Sequence, residues 1–221
     1  MSHSNAATDM NPIPAWPRRG LYLITPDEPD TARLLARIGP VLGAGVALLQ
    51  YRNKQADAAL RRKQTIALLG PCREAGLPLI INDDWRLANE IGAAGAHLGA
   101  DDGDLRAARA ASGPGFILGA SCYNDPSRAE RAAADGASYL AFGAFFASGT
   151  KPMARRAELS LLQDAARFGL PRVAIGGITP DNARSVIAAG ADFIAVIGAV
   201  FDASDPIATT HNLVSCFEPL A

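Results

Sequence analysis

Gln50, Arg52 and Lys54 stand at alternate positions of one short run, so a strand emerging there would turn all three side chains the same way. Two cations converging on one place suit a polyanion, although a solvated turn carrying two charges would read the same. Two acidic pairs follow, Asp83-Asp84 directly after Asn82 and Asp101-Asp102 after Gly99-Ala100. Carboxylates at neighbouring strand ends can share one hard cation, and Mg²⁺ takes one or two of them and completes its shell with water and phosphate oxygens. The competing explanation is that both pairs cap the helices that come next. Ser121 adds a hydroxyl. Ala147-Ser148-Gly149-Thr150-Lys151-Pro152 reads as a loop with two hydroxyls and a further cation, suited to closing over phosphate.

Later in the chain, Gly176-Gly177, Thr179-Pro180 and Ile197-Gly198 offer main-chain N–H groups instead of charge. Glycine admits a ligand close to the backbone and a helix start supplies unpaired N–H groups, though a plain tight turn would also use a glycine pair. Charge early in the chain and bare backbone late in it make two anion sites, which two phosphorylated substrates would use together. His97, between Ala96 and Leu98 inside a strand-like run, has the setting of a packed, hydrogen-bonded histidine. Cys72, Cys122 and Cys216 are odd in number, far apart and in no C-x-x-C arrangement, so buried free thiols are expected.

These groups need elements to hold them. Eight β-rich runs recur, at residues 21–25, 46–51, 79–82, 96–98, 116–120, 139–142, 172–175 and 193–197. Helical spacing fills the gaps, at 31–42, 58–75, 85–91, 105–111, 126–134, 159–168 and 180–189, with a weaker last segment near 206–217. Thr179, Asp125 and Asp205 each place an oxygen acceptor before a first-turn proline, and Gly76, Gly95, Gly136 and Gly190 stand where helices should end. Eight βα units without a break in composition predict a single (β/α)8 TIM barrel, a doubly wound open sheet being the alternative. In a barrel the residues at and just after each strand end form the mouth, and the cations, acids, hydroxyls and glycines singled out above lie there, unlike His97.

Composition narrows the function. The chain has 221 residues, 49% hydrophobic and 19% charged, and its 21 Lys plus Arg against 22 Asp plus Glu leave no basic excess for a phosphate backbone, which argues against nucleic acid as a partner. The longest uncharged apolar stretch, residues 193–201, falls far short of the ~18 residues of a membrane span. No basic segment or apolar run precedes Pro12, so a cytoplasmic protein is expected. Pro12, Pro14 and Pro17 mark residues 1–19 as a flexible arm, leaving 20–221 as the barrel domain.

Taken together the motifs resemble those of the thiamine-phosphate synthase family over residues 21–201. Leu21-Tyr-Leu-Ile-Thr25 meets its first-strand pattern, and Gln50, Arg52 and Lys54 meet its Gln-x-Arg-x-Lys. Asn82-Asp83, the later Asp102, the Ser148/Thr150/Lys151 loop and Ala174 to Ile178 meet the rest. The resemblance implies a transferase that joins a pyrimidine diphosphate to a thiazole phosphate and releases diphosphate. It implies Mg²⁺ on Asp83 and Asp102, and Arg52, Lys54, Lys151, Ser121 and Thr150 on the leaving diphosphate. It further implies Gly177, Ile197 and Gly198 on the thiazole phosphate, with Gln50, Asn82 and Ser148 as further substrate contacts. Ala100, Tyr123, Ala144 and Gly198 depart from the family's usual Gln, His, Pro and Ser. A thiazole tautomerase-like relative and a non-catalytic phosphate-binding barrel are the rival functions, and a homo-oligomer is compatible with all three.

Overall fold

The computed structural model describes residues 16–147 and 156–219. Eight parallel strands close on themselves in the order of the chain: β1 (Gly20–Ile24), β2 (Leu48–Tyr51), β3 (Leu79–Asn82), β4 (Gly95–Leu98), β5 (Ile117–Tyr123), β6 (Tyr139–Gly143), β7 (Arg172–Ile175) and β8 (Phe193–Val196). The open-sheet alternative is eliminated by the pairing of β1 with β8, which aligns Tyr22 with Ala195. The helices are α1 (Thr31–Leu42), α2 (Ala58–Glu74), α3 (Trp85–Ile91), α4 (Leu105–Ser112), α5 (Pro126–Ala134), α6 (Ser160–Asp164) continued by a 3₁₀ turn, α7 (Pro180–Ala188), α8 (Gly198–Phe201) and α9 (Pro206–Ser215).

Strand alternation divides the core in two. Leu21 and Leu23 face the helices, with Leu49, Ile81 and Leu140 among their layer. Tyr22 and Ile24 point inward, where Leu48, Ile80, Ile117, Tyr139, Val173 and Phe193 fill the barrel. At about 25 cal/mol per Å² of apolar surface removed from water, these two layers are the main source of stability. Of the arm expected at the N-terminus, Trp16 lies within the described residues. It stacks on Phe193 with ring centroids 5.9 Å apart and packs against the inner layer at the end opposite the mouth.

Aspartate is the common helix start. Asp30, Asp57, Asp84, Asp104, Asp125 and Asp205 each accept a hydrogen bond from a first-turn N–H. Thr179 instead has its own N–H taken by the Asn182 side chain at 2.9 Å. Three local expectations are corrected. Helix α3 ends on Gly92 in the left-handed region (φ 69°), not at Gly95, which lies inside β4 at a position where a Cβ would collide with the Ile117 carbonyl of β5. β5 runs three residues past its expected end, so Ser121 is a strand residue. The short α8, with no charged or capping residue to announce it, follows β8 directly.

Candidate active site

The strand C-termini open on a cavity of about 860 Å³. Gln50, Arg52, Lys54, Asn82, Asp83, Asp102, Ser121, Gly177, Ile197 and Gly198 all line it, although they come from six different strand ends. Ser148, Thr150 and Lys151 lie outside the described residues.

On one side the walls are charged. The Thr25 hydroxyl accepts from the Arg52 N–H at 2.8 Å and so ties the end of β1 to the end of β2. Asp27 Oδ1 accepts from Arg52 Nη1 at 3.3 Å and from the Lys54 N–H at 2.9 Å, which fixes both cations at the rim. Lys54 Nζ reaches Asp83 Oδ2 at 3.3 Å. The acids differ in their duties. Asp84 caps α3, and α4 is capped by Asp104, so neither Asp83 nor Asp102 is spent on a helix. Asp102 accepts instead from the Gly99 N–H at 2.8 Å, and Asp83 sits at φ 65°, a strained value for a residue with a side chain.

Burial, and next the adjoining Asp102 carboxyl, hold the Asp83 carboxyl above its ordinary value, while Lys54 pulls it back. Two carboxyls pressed together in a half-dry place form a donor set that a hard divalent cation completes. Among the described residues no group of three or more His, Cys, Asp and Glu gathers.

On the other side the wall is backbone. The N–H groups of Gly177, Ile197 and Gly198 find no protein acceptor among the described residues. Gly177 is left-handed (φ 65°), and a Cβ there would run into the main chain of Phe146 and Ala147. The close approach that demands glycine is therefore to the protein's own β6–α6 connection. Asn182 donates to the Gly177 carbonyl at 3.0 Å and completes the turn.

Tyr22, Tyr139 and Asp27 were not among the expected site residues. Alternation within Leu21 to Ile24 does turn Tyr22 inward, but a strand tyrosine carries no signal that it lies beneath a site. His97 is packed as expected and also borders the cavity. Burial lowers it to about 4, so the ring is neutral near pH 7. Tyr123 stands half exposed at the rim with φ 54°, its ring 5.7 Å from the Arg128 guanidinium. The three cysteines are buried and free, and burial pushes the Cys72 and Cys122 thiols up to about 12.

A closed barrel with one charged and one amide wall facing each other across its mouth defines an enzyme of phosphorylated small molecules. Comparison with known proteins narrows the class. The family model described as thiamine monophosphate synthase matches residues 21–200, and the chain belongs to that family of transferases. The thiamine-phosphate synthase of Xanthomonas campestris pv. campestris (strain 8004) is 57% identical over 193 residues, 87% of this chain and 93% of the relative. That of Xylella fastidiosa (strain Temecula1) is 53% identical over 207 residues, 94% of this chain and 88% of the relative. Among solved structures, thiamine phosphate pyrophosphorylase from Pyrococcus furiosus superposes with a TM-score of 0.79 at 31% identity, covering 90% of this chain and 95% of that one. None of the described helices is long and apolar enough to cross a membrane.

Proposed function

We propose that the mouth joins 4-amino-2-methyl-5-(diphosphooxymethyl)pyrimidine to 4-methyl-5-(2-phosphooxyethyl)thiazole, giving thiamine phosphate and diphosphate. The observation that carries this reading is the pair of unlike anion walls. Arg52 and Lys54 beside the Asp83/Asp102 pair suit a diphosphate, and the amides of Gly177, Ile197 and Gly198, without an acceptor among the described residues, suit a monophosphate. In the reaction the C–O bond between the pyrimidine CH₂ and the diphosphate breaks, the electron pair leaving with oxygen. The thiazole nitrogen then gives its lone pair to that carbon. No proton moves, so no general base is needed, in keeping with a neutral, buried His97.

The protein's task is to stabilise the departing charge and align the two rings. Arg52, Lys54 and Lys151 hold the diphosphate oxygens, and Ser121 and Thr150 donate hydrogen bonds to them. Asp83 and Asp102 would hold Mg²⁺, which fits their paired, half-buried carboxyls and supplies positive charge to the same oxygens when bound. Gln50 gives its Nε2 to Tyr22, which leaves its amide oxygen to accept from the pyrimidine amine. Asn82 and Ser148 complete the substrate contacts. The cytoplasmic setting and the N-terminal arm expected from the sequence remain part of this reading.

The test is diphosphate release measured with both substrates and Mg²⁺, then with each omitted. Release that needs all three is expected. Thiazole isomerisation without diphosphate, or binding without turnover, would replace this reading by one of its rivals.

A further inference from the structure

Five polar side chains cross the floor of the cavity in one unbroken line. Gln50 Nε2 donates to Tyr22 Oη at 2.8 Å, and the hydroxyls of Tyr22 and Tyr139 are 2.7 Å apart. Tyr139 Oη lies 3.0 Å from His97 Nδ1, and His97 Nε2 lies 2.8 Å from Ser121 Oγ. Tyr22 and Tyr139 are sealed from solvent, and Gln50 and His97 are nearly so. Gln50 and Ser121 at the two ends line the cavity, while Tyr139 in the middle does not. Room for the Tyr139 phenol is made by Gly119, where any Cβ would fall on its ring and hydroxyl.

Counting hydrogens gives the line a direction. A phenol owns one hydrogen. Tyr22 Oη already accepts from Gln50, and its remaining partner among the described residues is Tyr139, so the Tyr22 hydrogen goes to Tyr139 Oη. Tyr139 then has only His97 Nδ1 to receive its own hydrogen. With Nδ1 accepting, the imidazole carries its hydrogen on Nε2 and donates it to Ser121 Oγ. The Ser121 hydrogen is left without a protein acceptor among the described residues and faces the cavity. Either other form of the ring would put an N–H on Nδ1. Tyr139 Oη would then face two donors, and one phenolic hydrogen would be stranded in a dry interior, a costly arrangement.

We propose that this line is a one-way donor relay in which Tyr22, Tyr139 and His97 are positioning residues, keeping the Ser121 hydroxyl a donor toward the departing diphosphate. The inference rests on the synthase reading for its last step only. Without the relay, His97 Nε2 could serve as the acceptor for Ser121 and turn that hydrogen away from the substrate. Preorganisation then comes from groups that never touch the reacting atoms.

The relay is tested first in the substrate-free protein, by long-range ¹H–¹⁵N correlation of the imidazoles, with His97 assigned by its loss in His97→Gln. A single Nε2–H tautomer in the unaltered protein and a mixture in Tyr139→Phe are expected. Nδ1–H in the unaltered protein, or Nε2–H that persists in Tyr139→Phe, would overturn the relay whatever the protein catalyses. Kinetics then test its purpose: Tyr139→Phe should lower kcat about tenfold with both KM values nearly unchanged. His97→Gln, which keeps a donor at the Nε2 position, should retain several-fold more kcat than His97→Asn, which does not. Equal losses in those two variants would reduce His97 to packing. Tyr22→Phe, which breaks the line at its other tyrosine, serves the same tests should Tyr139→Phe fail to fold. An Nε2–H tautomer in a protein that releases no diphosphate from the two substrates would refute the synthase reading and the relay's assigned purpose, while leaving its polarity intact.

Discussion

The ends of β2 to β4 meet the cavity with charged side chains, whereas the ends of β7 and β8 meet it with the main chain of Gly177, Ile197 and Gly198. In the charged half each group leans on another, Arg52 on Asp27 and Lys54 on Asp83. An entering polyanion must exchange those ion pairs for its own, so they keep the cations in place until a substrate or metal arrives. In the amide half the N–H groups have no protein acceptor among the described residues, so no such exchange is required of those residues. The difference teaches that strong charge at a mouth needs local placeholders, while a backbone site is built by the fold, here with the Asp202 carboxylate as its one charged neighbour among the described lining residues.

Removing a carboxyl from the charged half should do the most damage. Asp83→Ala and Asp102→Ala are each expected to lower turnover by about 10²–10³-fold with a normal far-UV spectrum. Near-normal diphosphate release with metal chelated would show that the two halves do not differ as described.

The floor beneath both halves comes next. His97 is lowered from 6.5 to about 4, so the unfolded chain takes up a proton there before the folded one does. Stability is therefore fully present above pH 6.5 and is lost as pH falls toward 4, by on the order of 3 kcal/mol. Urea unfolding across that range should show the slope, and His97→Gln should flatten it. An unchanged slope would mean that the floor plays no part in acid sensitivity.

A smaller effect is expected in the amide half. At Gly198 a Cβ would stand 2.6 Å from Asp202 Oδ2, the end of a side chain that is 77% exposed and held by a long, 3.8 Å ion pair to Arg37, so it can yield. Gly198→Val should thus fold, raise KM for the thiazole phosphate about tenfold, and spare KM for the pyrimidine diphosphate. Equal weakening of both would erase the division between the halves. Gly177→Val is a poorer probe, since its side chain would displace the Phe146–Ala147 connection before it met any ligand. The mildest change is Asp27→Ala, which frees Arg52 from its placeholder and should alter KM for the pyrimidine diphosphate by roughly threefold, as for a partly exposed ion pair. A loss of turnover as large as that of Asp83→Ala would instead place Asp27 with the carboxyls that hold the metal.

Eight repeats of period-2 and period-3.6 patterning, with aspartates and glycines at the joints, were enough to specify the barrel. Patterning of this kind is local, and eight βα units have one economical way to bury it. The charged half was legible for a related reason: Arg52, Lys54 and the two acidic pairs are chemically unlike the apolar strands they follow, and the strand ends that carry them follow from the same pattern. Asp83 and Asp102 are singled out by resemblance and not by pattern, because whether a pair caps the next helix depends on where that helix begins to within one or two residues: Asp84 caps α3, whereas α4 is capped by Asp104, outside either pair. The tertiary structure alone decided that Tyr22, Tyr139, His97 and Ser121, from four different strands, would share one line of hydrogen bonds. It also decided that Gly177 makes way for the chain's own backbone. Such contacts arise from closing the barrel, which brings together residues as far apart in sequence as Tyr22 and Tyr139, and no local pattern encodes a distance across its interior.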